Sequence, residues 1–170
     1  MTRRRTLLLV LPSLPVLAHA ARGAEEELFH VAETDRLRLV ARQYGWTVLR
    51  DHDAPADAAE TGMVLIRVQR PVPPAERPGH LAATLRANRA FHFAAGALPA
   101  AETPHHPSGL PAAMLTARGL RSETQVEVVV RALILYGPAR SLLAIASAPV
   151  AQWDALAPEF DTVLGSLRLG

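Results

Sequence analysis

The chain has 170 residues, is 49% hydrophobic and carries 18 Lys+Arg against 16 Asp+Glu, a formal net charge of +2. Every one of those cations is arginine and no cysteine is present, which excludes disulfides, thiol nucleophiles and cysteine-held metals. The arginines are scattered, and nucleic-acid binding needs a clustered basic surface, so that partner class is excluded too.

At the start, Arg3, Arg4 and Arg5 precede an apolar run over 7–17, interrupted by Pro12 and Pro15, and then Ala18-His19-Ala20. A charged start, a short apolar stretch and small residues before a cut predict a cleavable secretory signal over 1–20, cut between Ala20 and Ala21. The apolar stretch is too short to cross a hydrocarbon core of ~30 Å as a helix, so no stable membrane span is expected after cleavage. Arg4-Arg5-Thr6-Leu7-Leu8 also fits a twin-arginine signal, so that route stays open beside Sec export. The expected location is periplasmic or secreted. Losing 1–20 removes three arginines and no acid, which leaves 15 arginines against 16 acids, a net charge of about −1.

A flexible lead-in is expected over 21–35, with Glu25-Glu26-Glu27 near its start, followed by a single domain over 36–170. Short strands are predicted over 37–40 and 46–50, around Gly45. A loop over 51–62 lacks apolar periodicity, and the β-branched run over 63–69 predicts a strand. Pro71, Pro73, Pro74 and Pro78 then end the sheet. The spacing of Leu81, Leu85 and Asn88 predicts a helix over about 78–90. Residues 96–109 read as an irregular connection.

Three strands follow at hairpin spacing, over 110–118, 125–135 and 141–147. In the second of them Val126, Val128, Val130, Ala132 and Ile134 form one face. Glu127, Val129, Arg131, Leu133 and Leu135 form the other, polar only at its beginning, which predicts a central strand covered on both sides at one end. After Pro149, the residues Trp153, Leu156, Phe160, Val163, Leu164 and Leu167 make a stripe of helical period that should lie on the sheet, with Pro158 kinking or restarting the helix. The fold class is therefore α+β, a mainly antiparallel sheet flanked by helices, with a C-terminal amphipathic helix packed on it.

This order of elements carries Tyr44-Gly45-Trp46 near its beginning, Gly109-Leu110-Pro111-Ala112 opening a strand, and 160–168 ending in Ser166-Leu167-Arg168. It resembles the Mog1/PsbP-like superfamily of α/β/α sandwiches, which includes small secreted bacterial proteins of unknown function. The resemblance covers most of 37–169. It implies a binding or assembly role more often than catalysis and brings no catalytic residues with it. The superfamily usually has an aromatic where this chain has Leu167.

Candidate chemistry is sparse. Asp51, Asp53, Asp57 and Glu60 form the densest acidic cluster, and the first three have calcium-like spacing, but Ala56 and Gly62 stand where a calcium loop needs its glycine and its bidentate glutamate, so a solvated loop is expected. His105 and His106 are adjacent, and neighbours in extended chain diverge. With His92 they are the only metal candidates, weak beside a reading as surface histidines. Ser108, Ser141 and Ser166 sit in turn or cap contexts without a nucleophile motif. No glycine-rich phosphate loop and no cofactor signature appear. Trp46 is expected in the core, or else beside a cleft with His92 near the 78–90 helix. The functional expectation is an exported, non-enzymatic periplasmic domain that binds a partner protein or envelope component. A small-molecule or lipid carrier with a cleft beside the sheet, and a cryptic hydrolase, are the alternatives.

Overall fold

The structure is a computed structural model that describes residues 28–55 and 58–170. The expected signal and its cut after Ala20 lie outside the described residues, as does Asp57.

Seven antiparallel strands form one sheet. β2 (Leu37–Gln43), β3 (Trp46–Asp51) and β4 (Met63–Gln69) make one half, and β8 (Ser141–Pro149), β7 (Glu127–Tyr136), β6 (Ala112–Arg121) and the two-residue β5 (Phe91–His92) make the other. Their order across the sheet is β2-β3-β4-β8-β7-β6-β5. The β2–β3 turn is two residues long, and Tyr44 and Gly45 both have positive φ, 52° and 74°. That combination matches the right-handed twist of the flanking strands, and the glycine adopts it without a Cβ penalty.

Helix α1 (His80–Ala87) lies over β5, β6 and β7 on one face, and helix α2 (Val150–Ser166) lies over β7 and β8 on the other. The alternation in β7 explains both layers. Val128, Val130, Ala132 and Ile134 join Leu81 and Leu85 under α1, while Leu133 and Leu135 join Leu156, Phe160 and Val163 under α2. The expected stripe on α2 is thus the buried one, with Trp153 packed at its margin. Each fully buried Leu or Phe of this kind contributes about 1.5–3 kcal/mol. Arg131, the polar member of the second β7 face, bonds Asp161 on α2 and lies 5.1 Å from the Trp153 ring. α2 continues through Pro158 without restarting.

Residues 28–35, the described part of the expected lead-in, include a short strand. Strand β1 (Phe29–His30) pairs with β9 (Arg168–Leu169), and the Ala32 N–H donates to Ser166 Oγ at 2.9 Å. Phe29 and Val31 pack on the α2 core, which supplies the apolar contact that the neighbouring acids obscure in the sequence. No helix among the described residues is long and apolar enough to cross a membrane.

Candidate functional site

α1 is short, and it covers only the β5–β7 side of its face. The β3–β4 side is where a groove runs. The floor is the outward-facing register of β3 and β4: Trp46 and Val48, then Leu65, Arg67 and Gln69. The wall is the C-terminal end of α1, with Thr84, Asn88 and Arg89. The central part, about 420 Å³, holds Trp46, Arg67, Gln69, Asn88 and Arg89. Toward the β2–β3 turn it continues into a more apolar part of about 220 Å³, bounded by Tyr44, Val48, Leu65 and Ala90. Tyr44 is 95% exposed there.

Trp46 is half-buried, with its ring against the Arg67 guanidinium at 4.9 Å. This stacking holds an arginine over an aromatic without consuming its hydrogen-bond donors. Among the described residues neither Arg67 nor Arg89 has a carboxylate partner, and the central lining holds no acid. The arrangement can hold an anionic or polar group beside an aromatic platform. His92, expected with Trp46, sits on edge strand β5 and does not line the groove.

The other sequence candidates resolve into structural roles. His106 is buried rather than on the surface. Its Nε2 donates to the Leu164 carbonyl at 3.0 Å, and its Nδ1 accepts from the Ser108 N–H at 3.1 Å and meets Ser108 Oγ at 2.8 Å. Both ring nitrogens are therefore engaged, which ties the irregular connection to the end of α2 and leaves no lone pair for a metal. His105 and His92 are exposed, and among the described residues no three His, Asp or Glu side chains are grouped to hold a metal.

Ser108 and His106 touch, but as a turn. Ser108 Oγ also accepts from the Leu110 N–H at 3.3 Å, and the far ring nitrogen of His106 faces a carbonyl instead of a carboxylate. Ser166 Oγ donates to the Val163 carbonyl at 2.7 Å. Ser141 is fully buried and its Oγ has no partner among the described residues.

The acidic loop is not simply solvated. Asp51 is buried and receives Arg36 through Nη2 at 2.7 Å and Nε at 3.3 Å, and this carboxylate is the main reason the Arg36 guanidinium is raised above its ordinary value. Glu60 receives Arg121 through Nε and Nη2, both at 3.0 Å, and Thr124 Oγ1 at 3.2 Å. Asp53 remains 64% exposed.

No family model and no curated protein matches the sequence. Solved structures do. LpqN, involved in cell envelope biogenesis of Mycobacterium tuberculosis, is similar with a TM-score of 0.59 at 16% identity, over 83% of this chain and 82% of that one. The cyanobacterial PsbP, CyanoP, from Synechocystis sp. PCC 6803 gives 0.51 at 15% identity, over 85% and 94%. PA94 from Pseudomonas aeruginosa, a protein of unknown function, gives 0.51 at 12% identity, over 84% and 98%. At these identities the likeness is one of fold: the chain shares the α+β fold of these proteins, PsbP among them, in agreement with the order of elements.

Proposed function

We propose that the chain is exported with loss of residues 1–20, cut between Ala20 and Ala21, and acts in the cell envelope as a non-enzymatic protein that binds an envelope component in the groove beside α1. The observation that carries this reading is the groove itself: an indole, two arginines without carboxylate partners among the described residues, and amides, converging on an open sheet face. These are groups that hold a ligand, and a concave cleft with a few convergent polar groups is the usual place for one. The shared fold with LpqN, described as involved in cell envelope biogenesis, supports the location.

Two results test it. Protein recovered from its host should begin at Ala21 and fractionate with the envelope. Envelope extract passed over the immobilised chain should leave a component that Trp46→Ala or Arg89→Ala releases. Cytosolic recovery with Met1 retained, or capture indifferent to both substitutions, would refute the reading.

A carrier of a small amphiphile is the second reading, favoured by the difference between the groove's ends, apolar near Tyr44 and polar near Gln69. Native mass spectrometry of the host protein should then show a bound mass, and a clean apo mass speaks against it.

A further inference from the structure

The groove extends beyond Gln69 into a recess of about 580 Å³ at the N-terminal end of α1, lined by Arg67, Gln69, Arg70, Glu76 and His80. It shares Arg67 and Gln69 with the Trp46 cleft, so the two are continuous.

The sheet under this end is unusual in its chemistry. Gln69, Ser141 and Tyr136 lie side by side across β4, β8 and β7, because Gln69 pairs with Ser141 and Ser141 with Tyr136. Directly paired residues share a face, so all three point toward α1. Tyr136 is 4% exposed and Ser141 is fully buried. The His80 ring, on the first residue of α1, stands edge-on to Tyr136 with centroids 6.3 Å apart.

Four polar atoms on these elements have no hydrogen-bond partner among the described residues: Gln69 Nε2 and His80 Nδ1, on residues that line the recess, and Tyr136 Oη and Ser141 Oγ, buried beneath it, each shielded from solvent. Buried polar atoms are nearly always satisfied in folded proteins, so four orphans at one end of a sheet call for a missing partner. The amide nitrogen can only donate, and the phenol and hydroxyl donate freely. Burial raises the Tyr136 phenol above its ordinary value, which keeps its proton in place as a donor. At the rim Arg67 and Arg70 have no ion pair among the described residues, and Arg77 lies over the Tyr136 ring at 4.8 Å. The one carboxylate in the lining is Glu76. The N-cap of α1 is Gly79, with no side-chain cap and no acid in the first turn.

We propose that this recess binds an anionic oxygen group, a phosphate or a carboxylate, held by the Arg67 and Arg70 guanidinium groups and the Gln69 amide that line it, and reaching the Tyr136 and Ser141 hydroxyls buried beneath that lining. The inference rests on reading the groove as a binding site, and it states which end takes the charged part of the occupant. Donors and cations together match such a group, whereas a neutral or cationic one leaves the arginines unpaired.

Calorimetric titration of protein purified from its host, with inorganic phosphate and with hexyl phosphate, tests this. Binding of either probe supports the site. Equal affinities identify a free anion, and tighter hexyl phosphate identifies an anion carried on an apolar body lying along the Trp46 end. Arg70→Ala and Tyr136→Phe should each weaken binding about tenfold or more, while Tyr136→Phe leaves the Tm unchanged or raised, since it removes an orphaned hydroxyl. No heat with either probe at about 10 mM overturns the proposal, as does binding indifferent to both substitutions, which would mark an adventitious ion only. Absence of anion binding with Trp46-dependent envelope capture intact overturns this inference alone.

Discussion

Replacing Glu60 by alanine should be among the most damaging changes outside the apolar core. Its carboxylate is 6% exposed and the Arg121 side chain facing it is 8% exposed, so both charges have left water. The pair is bidentate, with both bonds at 3.0 Å. Arg121 also donates to Ser147 Oγ at 2.9 Å and lies 4.5 Å from the Phe91 ring. In Glu60→Ala the guanidinium stays buried without its counter-charge, which costs about 3–5 kcal/mol. Set against a domain stability of about 5–15 kcal/mol, that is a large fraction. Removing both charges is a different perturbation. Glu60→Leu combined with Arg121→Met leaves no buried charge and should recover most of the loss. Urea denaturation with unchanged m-value measures both variants. A cost below about 1 kcal/mol for Glu60→Ala, or a double variant no better than the single one, refutes the claim that desolvation dominates here.

Three further outcomes are expected. Phe160→Ala should cost about 3–5 kcal/mol by chemical denaturation, because the ring is fully buried under α2 and packs 5.5 Å from Trp153. His106→Ala should cost about 1–3 kcal/mol and speed amide exchange at Ser108 and Leu167, since the Leu164 carbonyl loses its side-chain donor and the connection loses its tie to α2. Stability should fall on the alkaline side. The Tyr136 phenol, ordinarily near 10.0, is raised by burial, with Arg77 acting in the opposite sense. Its contribution is therefore complete below its unfolded value and is lost as pH rises through the folded one, so urea midpoints measured from about pH 9 to 11.5 should drop in the wild type and stay flatter in Tyr136→Phe.

The sheet and the second helix were legible because their signals are periodic and long. The alternation from Val128 to Ile134 shows one buried face, and the spacing of Leu156, Phe160 and Val163 another. Two-residue strands carry no period, so β1, β5 and β9 were invisible, and the acids near Phe29 hid its pairing with Leu169. Long-range partners were equally hidden. Glu60 and Arg121 lie 61 positions apart, and nothing local tells Glu60 from the exposed Asp53 in the same loop. The burial of His106 depends on a carbonyl 58 positions away.

For the groove, Trp46 was legible as a candidate by its residue type, and Arg67 and Arg89 were not. They become a site only because α1 ends early and leaves the β3–β4 face open. The row of Gln69, Ser141 and Tyr136 exists only in the register of three strands, which no single-strand pattern encodes.

An envelope-binding role requires that the groove be occupied in the envelope. A photoreactive side chain placed at Thr84, on the groove wall, should crosslink an envelope component in intact host cells, and Trp46→Ala should abolish the product. The same group at exposed Glu123, in the β6–β7 turn, should give none. No crosslink from Thr84, or the same products from both positions, would contradict the account.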